Sequence, residues 1–241
     1  MNYKKLVKLY RILLAPPLTR ALMKGAAAGT EHFEILRNLP CSIVIDIGAN
    51  RGQFALIARQ SLPLAKIISF EPLKEPASIF RSVFQSDPGV VLHECAIGPS
   101  DQEMPIHVSI ADDSSSLLPI SSLQKKLFPG TGEKEVRTIQ VKRLDSVLCA
   151  ADIQSPALLK LDVQGYESFA LEGCLSLLPF FSFIYVECSF QELYAGQALA
   201  HEIISFLEGN GFILSGIYNL YYDKKGMAVQ GDFLFKQKTA K

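Results

Sequence analysis

The run Ile43-Val44-Ile45-Asp46-Ile47-Gly48-Ala49-Asn50-Arg51-Gly52 constrains this chain more than any other stretch. A β-branched apolar run reads as a buried strand. Two glycines four apart read as a tight turn, and Phe54, Leu56 and Ile57 begin a helical pattern. Glycine tolerates positive φ and lets a backbone approach a ligand closely, while a helix start presents unpaired N–H groups. The unit therefore predicts a nucleotide-type cofactor loop. Glu71, nineteen residues beyond Gly52, ends the next predicted strand and supplies a carboxylate partner.

The rest of the chain extends this unit. Strands are expected at Val44–Ile47, Lys66–Phe70, Val90–Glu94, Ala157–Leu161 and Phe183–Val186, alternating with helices at Gln53–Ser61, Glu75–Gln85, Tyr166–Leu177 and Leu199–Glu208. Such alternation implies a parallel sheet with right-handed crossovers. Phe212–Ile217 and Asp232–Phe235, joined through a turn at Asp223–Gly226, predict an antiparallel tail. Between the third and fourth strands, Met104–Ile110 and Val136–Val141 alternate like strands around a Ser-, Asp-, Gly- and Pro-rich stretch. This predicts an antiparallel insertion, about 104–141, with a mobile loop serving as a lid or recognition element. The expected organisation is a helical extension over 1–40 and one α/β domain over 41–241.

Lys and Arg total 24 and so do Asp and Glu, which leaves no overall field to draw in nucleic acid. The five cysteines form no C-x-x-C pair and are odd in number, which argues against a disulfide framework or a zinc site and for a cytoplasmic location. The segment Met1–Met23 interleaves Lys4, Lys5, Lys8, Arg11 and Arg20 with apolar residues and is broken by Pro16-Pro17. It is too short and too charged to span a bilayer. An amphipathic helix is expected, either packing on its own domain or making a weak peripheral contact with a membrane surface.

The loop discriminates among ligands. A dinucleotide site wants G-x-G-x-x-G and a P-loop ends in Gly-Lys-Ser/Thr; neither is present. The pattern D-x-G-x-x-x-G, with a carboxylate ending the second strand, suits S-adenosylmethionine. The backbone of Gly48, Ala49, Asn50 and Gly52 can approach its methionine part, with Asp46 near the ammonium group. Glu71 can accept hydrogen bonds from both ribose hydroxyls. Phe70 and Pro72, with the Cys95-Ala96-Ile97 segment, can sandwich adenine. Ligands of doubly wound sheets sit beyond the strand C-termini at the switch point, which brings Asp162 to the same crevice.

With those residues in place, the chain resembles the FkbM family of S-adenosylmethionine-dependent methyltransferases. The resemblance spans roughly Val44 to Phe235. It rests on Val44–Gly52, Phe70-Glu71-Pro72, Ser115-Ser116-Leu117, Arg143-Leu144-Asp145 and Lys160-Leu161-Asp162-Val163-Gln164-Gly165-Tyr166-Glu167. It implies a doubly wound, mostly parallel, seven-stranded Rossmann-like sheet. It also implies O-methylation of a hydroxyl on a small molecule or carbohydrate. Gln164 departs from the family, which usually has Glu there; Asp162 and Glu167 would keep the site acidic.

Accepting the hydroxyl proton as the new bond forms is worth roughly 10²–10⁴-fold. Asp162 is the first candidate for this catalytic role, by position. His107, in the insertion, is the second, set against an ordinary exposed strand residue. A divalent metal on Asp162 and Glu187 is weighed, but no metal is expected without clustered ligands. The competing readings are a nicotinamide-dependent oxidoreductase, and a non-catalytic member of the fold that docks through Met1–Met23. The acceptor and the oligomeric state are open.

Overall fold

The strand β1 (Ile43–Ile47) lies inside the main sheet and every residue of it is buried. The computed structural model describes residues 3–238. Before β1 come α1 (Tyr3–Leu13), α2 (Pro16–Met23) and α3 (Phe33–Leu36). After it run α4 (Gln53–Ser61), β2 (Lys66–Phe70), α5 (Lys74–Phe84), β3 (Val90–His93) and β4 (Ala96–Ile97). The chain continues through β5 (Gln102–Ser109), α6 (Ser122–Leu127), β6 (Glu133–Lys142), β7 (Ala157–Leu161) and α7 (Glu167–Gly173). It ends with β8 (Phe183–Ser189), α8 (Ala200–Gly209), β9 (Phe212–Tyr222) and β10 (Ala228–Gln237).

The main sheet has seven strands in the order β3-β2-β1-β7-β8-β10-β9. β1 pairs in parallel with both β2 and β7, so the order reverses there and leaves a crevice beyond their C-termini. β10 is antiparallel to β8 and β9, as the predicted hairpin required. Asp223 fixes that turn, its Oδ1 accepting from the backbones of Lys225 and Met227. The two tail strands run several residues longer than their apolar cores implied, because a hairpin ladder continues on backbone bonds alone.

Side-chain alternation sorts β1 between two cores. Ile43, Ile45 and Ile47 join Leu159, Leu171 and Ile203 on the face covered by α7 and α8. Val44 faces Leu18, Phe54, Ile57 and Phe80 on the face covered by the N-terminal helices, α4 and α5. Asp46 has the parity of Val44, which decides its surroundings.

The insertion is a separate three-stranded sheet, β4-β6-β5. β5 and β6 are antiparallel, as expected, but β4 joins in parallel and widens the pair. The loop expected to be mobile carries a 3-10 turn at Asp112–Ser114 and the helix α6. The Ser121 hydroxyl caps α6 by accepting from Gln124 N at 3.1 Å. Arg51 grips the loop through two bonds to Asp112 Oδ2, at 2.9 and 2.7 Å.

The amphipathic N-terminus is two helices, with Pro16 starting the second. α1 packs against the domain with Ile12, with Lys8 on Glu31 at 3.1 Å and with Arg11 reaching the Thr30 carbonyl. Among the described residues no helix is long and apolar enough to cross a membrane.

Candidate active site

A cavity of about 710 Å³ opens beyond the C-terminal ends of β1, β2 and β7. Its walls include Gly48, Ala49, Asn50, Glu71, Pro72, Ala96 and Asp162, seven of the ten residues singled out from the sequence. The insertion supplies another wall, with Asp112 to Leu117 and Leu127 to Pro129.

Gly48 has φ +82°, and a Cβ there would lie 1.8 Å from the Asp162 carbonyl oxygen. Only glycine lets the β1 turn cross the end of β7 at this distance. Glu71 is buried, with Oε2 accepting from Asn50 N at 2.9 Å and Oε1 from Leu73 N at 2.8 Å. Each carboxylate oxygen has a second lone pair, so two acceptor positions stay open toward a ligand diol. Burial pushes the Glu71 carboxyl up to about 7, against the backbone bonds from Leu73 and Asn50, which lower it. Phe70, itself fully buried, and Ile97 line an apolar slot beside it. The donor set, the glycine crossing and the slot fit S-adenosylmethionine.

Three of the residues singled out from the sequence do not line the cavity. Asp46 is fully buried behind the cavity wall, not on it. It is the in-register neighbour of Lys160 across the parallel β1–β7 pair, and its Oδ1 lies 3.0 Å from Lys160 Nζ. In-register neighbours point to the same face, so the ion pair follows from the register. Burial works to lower the Lys160 pKa, but Asp46 and Asp162 overcome it and the net shift is upward. Lys160 reaches the wall and donates to the Gly48 carbonyl at 3.0 Å, a role not foreseen in the sequence. Gly52 also stays off the wall; its φ is +90°, and a Cβ there would strike the Phe84 ring at 2.7 Å. It starts α4 and seats it on α5. His107 lies on β5 with Nδ1 2.5 Å from Glu133 Oε2, and it does not line the cavity. Its backbone exchanges hydrogen bonds with Ser116, so it anchors the insertion loop.

The structure adds polar groups around Asp162. Gln164, held at φ +54°, donates from Nε2 to Asp162 Oδ1 at 2.7 Å and to Glu187 Oε2 at 3.2 Å. Its Oε1 accepts from the Tyr194 hydroxyl at 2.8 Å. Gln230 donates to the other Glu187 oxygen at 2.6 Å. One amide thus ties two carboxylates together through its two N–H groups, which an ionised glutamate, having no proton to donate, cannot do. Glu167 turns inward, and its Oε1 accepts from the backbones of Val163 and Gly165 at 3.0 and 3.1 Å. It shapes the turn that carries Gln164.

Asp162, Glu167 and Glu187 each present an oxygen within 4.8 Å of the others, so the carboxylates are clustered where the sequence had suggested scatter. Glu167 and Glu187 are already met by amide and backbone donors. Burial raises both, Glu167 to about 7, and the neighbouring carboxylates push Glu187 up further. A second group missed from the sequence is His32, delivered to the cavity by the N-terminal extension. Tyr185 donates to Asp232 at 2.9 Å, leaving its oxygen to accept from His32 Nδ1 at 3.1 Å. Only chain folding brings residue 32 to residues 185 and 232, and no local signal could have found it.

Comparison with known proteins agrees with this geometry. The family model described as Methyltransferase FkbM domain matches residues 46–214. The chain is 30% identical over 200 residues to the 2-O-methyltransferase NoeI of Sinorhizobium fredii, covering 78% of this chain and 82% of that protein. It is 27% identical over 144 residues to Methyltransferase 1 of Beauveria bassiana, covering 55% and 58%. Among solved structures, a Klebsiella pneumoniae protein assigned as an O-methyltransferase superposes with a TM-score of 0.52 at 15% identity, covering 97% of this chain and 96% of that one. At that identity the likeness concerns the fold.

Proposed function

The chain belongs to the FkbM methyltransferase family, and on that premise we propose that it transfers a methyl group from S-adenosylmethionine to a hydroxyl of a small molecule or sugar. The observation that carries the reading is Asp162, which lines the cavity beside the Gly48 turn while Gln164 holds its carboxylate. The nicotinamide alternative is not favoured by this membership.

The cavity has two halves. Gly48, Asn50 and Glu71 would hold the cofactor's methionine and ribose, and Phe70 and Ile97 its base. Bound there, S-adenosylmethionine supplies a methyl already activated on a sulfonium. The protein's task is then chiefly alignment. Asp162 accepts the hydroxyl proton as the oxygen gains the methyl. Gln164 keeps that carboxylate oriented, and Tyr194 fixes Gln164. The insertion loop closes the acceptor half and excludes water. The amides and carboxylates of Gln164, Gln230, Asp113 and Asp162 suit an acceptor with several hydroxyls. NoeI is named a 2-O-methyltransferase, which supports an oxygen as the methyl-accepting atom here. The buried free thiols of Cys41, Cys95, Cys174 and Cys188 suit a cytoplasmic site of action.

The test is incubation with methyl-labelled S-adenosylmethionine and a panel of sugars, glycosides and phenols, with products read by mass spectrometry. An O-methyl ether formed by the wild type, and depressed in Asp162→Asn without loss of cofactor binding, supports the proposal. Methyl on nitrogen or carbon, or a fully active Asp162→Asn, overturns it.

A further inference from the structure

The helix α1 is packed inside out. Leu6, Leu9, Tyr10 and Leu13 recur at i, i+3, i+4 and i+7, the spacing of a core-facing stripe. They are 45, 38, 65 and 56% exposed, and Leu14 beyond them is 65% exposed. The opposite side faces the domain with Ile12, Lys8 and Arg11. Ile12 and two polar contacts therefore hold the helix to the protein while its apolar stripe is left in water.

The charge around the stripe identifies what covers it. Lys4, Lys5, Lys8, Arg11, Arg20 and Lys24 precede Glu31, the first acidic residue of the chain, although the whole chain is balanced; Lys8 and Arg11 are engaged on the domain side, so it is the net positive charge of the segment that an outside partner meets. A cationic segment with a contiguous apolar stripe is complementary to an anionic bilayer surface, where leucines enter the acyl boundary and lysines meet lipid phosphates. No described helix can span a bilayer, so the contact is interfacial.

We propose that α1, with its flanking cations, docks this protein on anionic membrane surfaces through Leu6, Leu9, Tyr10 and Leu13. The docked helix is tied to the catalytic cavity. Lys8 lines the cavity and bonds Glu31, and Glu31 and His32 line the same wall. Docking thus holds the cavity on the far side of α1 from the bilayer, about 10 Å from its surface.

Vesicle flotation of the full-length protein tests this, using phosphatidylcholine alone and phosphatidylcholine mixed with phosphatidylglycerol. The wild type should float with the anionic vesicles and lose binding as salt rises. The double variant Leu9→Asp/Leu13→Asp should bind at least about tenfold more weakly. Both positions are exposed, and an unchanged unfolding midpoint with unchanged S-adenosylmethionine binding shows that the fold is intact. Absence of wild-type binding, or equal binding by the variant, overturns the proposal. So does a wild-type dimer in light scattering that the variant abolishes while neither protein floats, since the stripe would then be a contact between copies. Because cofactor binding is measured separately, failure here is distinct from failure of the methyltransferase reading.

Discussion

Gln164 Nε2 lies 2.7 Å from Asp162 Oδ1, so the carboxylate facing the cavity is held by a neutral amide. The same amide nitrogen reaches Glu187 at 3.2 Å. The Gln164 side chain thereby separates two acids that would otherwise repel, and its carbonyl end is fixed by Tyr194.

Replacing Gln164 with Glu would place a third carboxylate in this group. The variant has no N–H to donate to Asp162 or Glu187, and like charges this close repel, so Asp162 should lose its fixed orientation. kcat is expected to fall by about tenfold, with binding of S-adenosylmethionine largely kept. An unchanged kcat would show that Gln164 does not govern Asp162.

Glu71 predicts the pH dependence of cofactor binding. The ribose hydroxyls donate to its ionised form, while burial holds the free carboxyl up at about 7. Affinity for S-adenosylmethionine in calorimetry should therefore strengthen as pH rises through about 7 and then level off. Glu71→Gln should abolish this dependence, and Glu71→Ala should weaken binding by about 10²-fold or more. Retention of pH-dependent binding in Glu71→Gln would assign it to another group.

Gly48→Ala tests the crossing of the β1 turn over β7. A positive φ strains alanine, and the added carbon meets the backbone oxygen of Asp162 rather than a movable side chain. A loss of about 3 kcal/mol is expected, seen as a fall in Tm of roughly 6–12 °C. A variant as stable as the wild type would show that the turn can open without cost.

Stability of the ligand-free protein should fall from mildly acidic to mildly alkaline pH. Burial raises Glu71 and Glu167 from 4.5 to about 7, so the folded state binds their protons more tightly than the unfolded state. Their favourable contribution is whole below about 4.5 and is lost as pH climbs through about 7. Burial lowers the His93 pKa, which works the other way near neutrality, but Glu187 is raised as well and adds to Glu71 and Glu167. Scanning calorimetry from about pH 5 to about pH 8 should show a declining Tm. A rising Tm would mean that these carboxyls are better solvated than their burial implies.

What the sequence determined by itself is local or follows from strand order. The β1–glycine turn–α4 unit, Glu71 at the end of β2 and Asp162 at the end of β7 are legible because each is encoded within a few residues. Parallel alternation then forces all three to one edge of the sheet. The tertiary structure decided which way side chains face and what distant residues they meet. Asp46 is one residue from the turn, yet its strand parity turns it to Lys160, and Gly52 is spent on Phe84. His107 pairs with Glu133 because the β5–β6 register brings them together. Lys160, Gln230 and His32 join the site from three separate segments, and sequence patterns carry no signal for contacts made across such separations. The N-terminal helix shows the same limit: its amphipathic pattern was plain, but only the packed structure revealed that the apolar side faces outward.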